Sequence, residues 1–310
     1  MKLKYLVILP VLLGLGVNSV ISQNPSWPAP PQFDGYKGKP GKIVKYNVFN
    51  YLDIRKENGE NLHQVLGHYW EISYAYDSVF RQKKKFKEFV VNQILEKGGQ
   101  LFFQDTLQIH FVVPEEQGNV WGRLVLSSDK VYRLRLIKET KFDNPLKFGV
   151  KPDVRYDRFV DSVDLPPRIA YLRSSVIARI QFSKFNHLEL TWNVKDTLYR
   201  QKVMGPYWDI KLEVRDQDGE VDRSVSTVEV LESYYRACMK AGGTILKSRP
   251  RELLFILPIE QSTLWCRVTA TLDGVYLIRI VIMDDKDKTL PEKMVTIPPT
   301  YQDSLKELNP

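Results

Sequence analysis

The amino-acid sequence predicts an α+β protein built by tandem duplication, each copy an antiparallel sheet with one helix packed on a face. The 310-residue chain matches itself colinearly along most of its length, the signature of an internal repeat. In each copy an apolar pattern recurring every three to four residues stops at a glycine pair, Gly98-Gly99 and Gly242-Gly243, which marks an amphipathic helix and its end. Around these helices the pattern alternates, loosely over Ile43 to Ile54 and more clearly over Trp70 to Tyr76, and Asp273-Gly274 stands where a two-residue hairpin turn belongs.

The self-match opens with Pro30-Pro31 against Pro166-Pro167. Phe49-Asn50-Tyr51-Leu52 then answers Phe185-Asn186-His187-Leu188, and Val65 to Ile72 answers Val203 to Ile210. Its longest ungapped block sets Gly98 to Leu136 against Gly242 to Ile280, with Phe111/Phe255, Trp121/Trp265, Arg123/Arg267, Asp129/Asp273, Tyr132/Tyr276 and Arg135/Arg279 identical. These matches predict copies over 28–139 and 165–283. A charged connector at 140–164 holds Pro145, Gly149 and Pro152, and a polar tail covers 284–310.

Within a copy, Ile43 to Ile54 and the alternation of Trp70, Ile72, Tyr74 and Tyr76 predict two strands. Phe86, Phe89, Val90 and Ile94 line one helix face between about Val79 and Lys97, with Lys83-Lys84-Lys85 on the wet side. Val230, Tyr234, Ala237 and Cys238 are their counterparts in copy two. Three strands follow, near Gln108–Val113, Asn119–Ser127 and Val131–Ile137 in copy one. A two-residue turn at Asp129-Lys130 places Tyr132 on the face of Trp121 and Arg123. A three-residue loop places Arg133 and Arg135 there instead, and Asp273-Gly274 favours the shorter turn.

The N-terminus reads as a secretory leader over 1–22. Lys2 and Lys4 precede a charge-free apolar run, Tyr5 to Val17, and small or polar residues end at Ser22. Export follows, to the periplasm or the outer membrane. No later stretch is long and apolar enough to span a bilayer. Removing the leader lowers the formal charge of +8 by two. With export, that modest basic balance points to an envelope protein or an anionic envelope polymer as partner rather than nucleic acid. Two cysteines exclude a disulfide-scaffolded mini-protein.

The repeated Trp-x-Arg, Trp121/Arg123 and Trp265/Arg267, is the binding candidate. On one strand face, an indole and a guanidinium stack on a ring, grip an anion or anchor a partner. Packing at the sheet is the competing role. Tyr69-Trp70 and Tyr207-Trp208 read as core. Cys238 on the helix and Cys266 on a strand of copy two are a disulfide candidate, with buried free thiols as the alternative; Ile94 and Gly122 stand at these places in copy one. His63, His68, His110 and His187 have no metal spacing. No cofactor, nucleophile or phosphate-loop motif occurs, so nothing positive points to an enzyme. Asp216 to Asp222 reads as a polar turn rather than a calcium loop.

One order of features is now complete: a Pro-rich start, an aromatic strand, Val-x-Gly-x-Tyr-Trp, a helix, Gly-Gly, then strands with Trp and Tyr. It resembles an uncharacterised α+β domain that stands ahead of the OmpA-like peptidoglycan-binding domain in Gram-negative envelope proteins. Gly67, Tyr69, Trp70, Gly98, Gly99, Trp121 and Tyr132 carry the likeness in copy one. Gly205, Tyr207, Trp208, Gly242, Gly243, Trp265 and Tyr276 carry it in copy two. No OmpA-like segment follows the second copy, so peptidoglycan binding does not transfer. The resemblance implies envelope residence and an accessory, non-enzymatic role. The sequence therefore leads to an exported binding or scaffolding module. Its alternatives are an enzyme with a site between the copies and an architectural subunit of an envelope complex.

Overall fold

Alternating apolar residues need a sheet face to bury them, and in each copy a single helix supplies the cover. The computed structural model describes residues 28–31, 41–56, 63–75, 83–126, 131–143, 146–149, 154–158, 160–161, 163–195, 197–287 and 292–296. The leader (1–22) and the Asp129-Lys130 turn lie outside the described residues. Unit one runs β1 (Lys42–Ile54), β2 (His63–Ala75), α1 (Lys83–Glu96), β3 (Gln100–Gln104), β4 (Gln108–Glu115), β5 (Gly118–Leu126) and β6 (Val131–Glu139). After β7 (Arg155–Tyr156), unit two runs β8 (Ser175–Val194), β9 (Thr197–Val214), α2 (Thr227–Lys240), β10 (Thr244–Arg249), β11 (Glu252–Ile259), β12 (Ser262–Leu272) and β13 (Val275–Asp284). β14 (Glu292–Thr296) comes last. No described helix is long and apolar enough to cross a membrane.

The strand order is β1-β2-β6-β5-β4-β3 in unit one and β8-β9-β13-β12-β11-β10 in unit two, the same topology twice. Each unit has one strand more than its sequence predicts. β3 and β10 follow the glycine pair directly and sit at the sheet edge, where five or six residues suffice. Both helices end alike. Gly99 N–H donates to Ile94 O at 2.8 Å and Gly243 N–H to Cys238 O at 2.9 Å, closing the last turn.

α1 buries Phe86, Val90 and Ile94 against Ile109, Phe111, Leu124, Tyr132 and Leu134. α2 buries Val230, Tyr234, Ala237 and Cys238 against Phe255, Cys266, Val268, Tyr276 and Ile278. Tyr132 and Tyr276 thus face the helices, which corrects the expected face. Arg123 pairs with Arg135 and Arg267 with Arg279, so the arginines share the outer face. In unit two the Asp273-Gly274 turn is present, with Leu272 opposite Val275 and Gly274 at φ 76°. A bulge between Ala270 and Leu272 adds one residue and reverses the parity that the turn alone would set.

The 140–164 stretch, expected as a connector, covers unit two. Leu146 is buried, Phe148 stacks on Phe255 at 5.8 Å, and β7 pairs in parallel with β8. From the tail, β14 pairs with β9. Trp70 Nε1 donates to Pro28 O at 3.1 Å and Trp208 Nε1 to Asp164 O at 2.8 Å. Each Tyr-Trp motif therefore ties down the chain entering its own unit.

Each unit's first hairpin bends over the outer sheet face. The strand pairing slips between Asn47 and Asn50 in β1 and between Ser183 and Asn186 in β8, and Gly67 and Gly205 stand opposite those bulges. A Cβ there would lie 2.0 Å from Lys138 O at Gly67 and 2.0 Å from Ile282 O at Gly205. Glycine is required because the hairpin backbone crosses that close to the next strand.

Candidate functional site

The outer faces carry the same polar row in both units. Glu71, Arg135, Arg123 and His110 lie side by side on β2, β6, β5 and β4; Asp209, Arg279, Arg267 and Leu254 do so in unit two. The acid takes the first arginine: Arg135 Nε donates to Glu71 Oε2 at 3.1 Å and Arg279 Nε to Asp209 Oδ2 at 2.8 Å. Tyr69 OH donates to Glu71 at 3.0 Å and Tyr207 OH to Asp209 at 3.5 Å. Burial and the adjoining carboxylate push both phenols above their usual range.

Trp121 and Arg123 share one face, as do Trp265 and Arg267, but the bent hairpins already cover the indoles. Trp121 lies 5.3 Å from Phe102 and 5.4 Å from His63. Trp265 is 7% exposed and lies 6.5 Å from Trp192, among Leu188, Leu190 and Val203. Each indole is packed by protein, so a ligand approaching these motifs meets the guanidinium end. The two guanidinium groups differ. Arg267 donates from Nη2 to Glu189 O at 2.8 Å and holds Glu252 Oε1 3.3 Å from its Nε. Arg123 donates from Nη2 to the neutral Gln108 Oε1 at 2.8 Å.

The second feature is the joint between the units. The β1 bulge presses on the start of α2: Val48 N–H donates to Ser224 O at 2.9 Å and Asn47 Nδ2 to Arg223 O at 3.2 Å. Ser226 Oγ donates to Phe49 O and accepts from Glu229 N–H at 2.9 Å, so one hydroxyl caps α2 and holds unit one. Lys45 pairs with Asp273 at 2.7 Å. Phe142 packs 4.4 Å from the Phe49 ring, and Arg236 lies 5.0 Å over Phe142. Burial, with Asp222 nearby, pushes the Glu229 carboxyl up to about 7. Burial, Glu229 and Asp222 together push Tyr46 to about 12.

A cleft of about 1420 Å³ opens beside this joint, lined by Tyr46, Val48, Asp157, Arg215, Asp218 and Asp222 among others. Three of the carboxylates lining it, Asp157, Asp216 and Asp222, have structural work. Asp157 pairs with Arg215 at 2.5 Å. Asp216 Oδ1 accepts from the N–H groups of Asp218 and Glu220, both at 3.0 Å, and Asp222 Oδ1 from Ser224 N–H at 2.9 Å. The 216–222 stretch is a polar turn held by its own side chains. Among the described residues no group of three His, Cys, Asp or Glu side chains is arranged to hold a metal.

Phe185, the counterpart of Phe49, is 66% exposed where Phe49 is 4% exposed. Phe182 and Met204 on the same hairpin are exposed too. The self-match contains this pair, but nothing in it says that one phenylalanine is docked and the other open. Cys238 and Cys266 both enter the α2-side core and are free, buried thiols. Burial pushes Cys238 up to about 12 and raises Cys266 well above its ordinary value, away from thiolate chemistry. The chain matches no protein-family model, no curated protein and no solved structure.

Proposed function

We propose that the protein is an exported, envelope-associated, non-enzymatic binding or scaffolding protein. In this reading the joint makes its two modules one body, and the β8 bulge of the second module docks an envelope protein. The carrying observation is the asymmetry of equivalent edges. Phe49 is docked on a capped helix N-terminus, and Phe185 is exposed. The internal joint supplies the chemistry of the partner: a helix start with a hydroxyl cap and acidic residues beside it, as Ser226, Asp222 and Glu229 offer. Lys184 stands where unit one has Val48, which strengthens the preference for acid. The start of α1, Lys83-Lys84-Lys85, has the wrong charge to receive it from a second copy. The resemblance to the domain found ahead of OmpA-like domains supports the same envelope address.

The test is an affinity capture of the mature chain from detergent-solubilised envelope, beside Phe185→Ser and Lys184→Glu. The reading expects one stoichiometric protein lost with both variants. A partner that both variants retain puts the docking surface elsewhere. The second reading, an enzyme, rests on the cleft lying at the joint, where ligand sites concentrate. A substrate whose turnover falls on changing Asp218, with capture unaffected by Phe185→Ser, would favour it.

A further inference from the structure

Among the charge differences between the outer faces of the two units, one stands beside the second arginine of the row: Gln108 in unit one and Glu252 in unit two. Glu252 is the internal counter-ion of its row. It pairs with Lys247, and its Oε1 is 3.3 Å from Arg267 Nε. Gln108 brings no charge, and its single Oε1 serves two donors: Arg123 Nη2 at 2.8 Å and, 3.3 Å away, His110 Nε2. The ring nitrogen His110 Nδ1 accepts from Arg55 N–H at 3.0 Å, which assigns the ring proton to Nε2.

That hydrogen bond also brings a second cation to the row, because the end of the bent β1 carries Arg55. The Arg55 guanidinium lies 5.8 Å from the Phe103 ring centre. Among the described residues neither Arg55 nor Arg123 has a carboxylate within ion-pair distance. Glu71 is shared by Arg133 at 3.7 Å and Arg135 at 3.1 Å, and Asp53 accepts from Gln64 Nε2 at 3.3 Å. Burial, Arg135 and Arg55 lower the Arg123 pKa against a smaller opposing pull from Asp53 and Tyr69, so the cation is only partly compensated. Arg123 Nε, like Arg267 Nε, is buried without a hydrogen-bond partner, so the two units differ in the carboxylate beside the guanidinium and not in this atom. His110 is buried, and its pKa is pushed down to about 4 by burial with Arg123 and Arg55, so it stays neutral and adds no charge. A half-buried guanidinium without a counter-ion favours an anion from solvent, and paired arginines favour a doubly charged oxyanion.

We infer that unit one carries an anion site at Arg123 and Arg55, built for a phosphate group, which unit two closes internally with Glu252. The site is separate from the Phe185 edge and stands or falls independently of it. The ligand is a phosphate, either soluble or on a lipid headgroup.

The duplication supplies its own controls, because each unit naturally tolerates the residue to be exchanged. Inorganic phosphate is titrated into the full chain by calorimetry, at low ionic strength to limit screening. The wild type binds one equivalent. Gln108→Glu, which copies unit two, and Arg123→Gln each weaken binding at least tenfold. Glu252→Gln, which copies unit one, adds a second equivalent at Arg267 and Lys247. Co-sedimentation with phosphatidylglycerol vesicles against phosphatidylcholine vesicles separates the sources. Binding lost with Gln108→Glu places the phosphate on a headgroup, and indifference to both vesicles with phosphate binding intact makes it a soluble ligand. No saturable phosphate binding by the wild type, or binding unchanged in Gln108→Glu, overturns the site.

Discussion

Unit one and unit two share strand order, helix ending, hairpin bend and outer polar row, yet each spends a corresponding residue differently. Phe49 is buried at the joint and Phe185 is open; Arg123 meets an amide and Arg267 a carboxylate. Features common to both are what the fold requires, since two copies free to diverge have kept them. Features present in one copy mark where the units have taken separate tasks. Unit one holds the joint and has the partly compensated cations. Unit two receives the joint and has the open edge.

The hairpin bend gives the largest expected effect. Gly205→Ala sets a methyl group against Ile282 O at 2.0 Å, and Gly67→Ala does the same against Lys138 O. Each is expected to cost at least about 4 kcal/mol, because backbone cannot step aside as a side chain can. Urea unfolding of both variants checks this. If either glycine accepts alanine at little cost, the two bends are not equivalent.

Phe49→Ala and Phe185→Ala come next. The buried ring should cost about 3 kcal/mol or more on truncation, the exposed one within about 0.5 kcal/mol. Differential scanning calorimetry of the pair decides it. Equal losses would mean that the Phe185 edge is also packed in solution.

The smallest effect is the pH dependence of the joint. Unfolded, the Glu229 carboxyl ionises near its ordinary 4.5; folded, burial and Asp222 move it to about 7. Between these values the folded protein holds a proton that the unfolded chain releases. The contribution is complete below pH 4.5 and drains away as pH rises through 7. Unfolding free energy should fall by about 3 kcal/mol across that window, and Glu229→Gln should flatten the slope. An unchanged slope in the variant would move the proton to another group.

Much of this architecture was legible in the sequence because it rests on local periodicity. Three-to-four spacing ending at Gly98-Gly99 and Gly242-Gly243 marked both helices. Alternation marked the longer strands, and the self-match marked the duplication. The short edge strands β3 and β10 escaped because five or six residues show too little alternation to separate from a loop. The 140–164 stretch read as a connector because its charges and prolines outweigh Leu146 and Phe148, the residues that cover unit two.

The candidate site was legible only in part. Trp121 with Arg123 and Trp265 with Arg267 were found as motifs, and strand parity placed each pair on one face. Which other residues join that face depended on a single-residue bulge at Ala270–Leu272, which no turn motif discloses. By itself the sequence determined the repeat, the element types and the residues that stand in equivalent positions, since these follow from near-neighbour spacing along one chain. The tertiary structure alone decided that the hairpins cover the indoles, that Gln108 and Glu252 face Arg123 and Arg267, and that Phe49 is docked while Phe185 is not. Those outcomes turn on contacts between strands far apart in sequence, where a shift of one residue exchanges the faces and a two-ångström approach selects glycine.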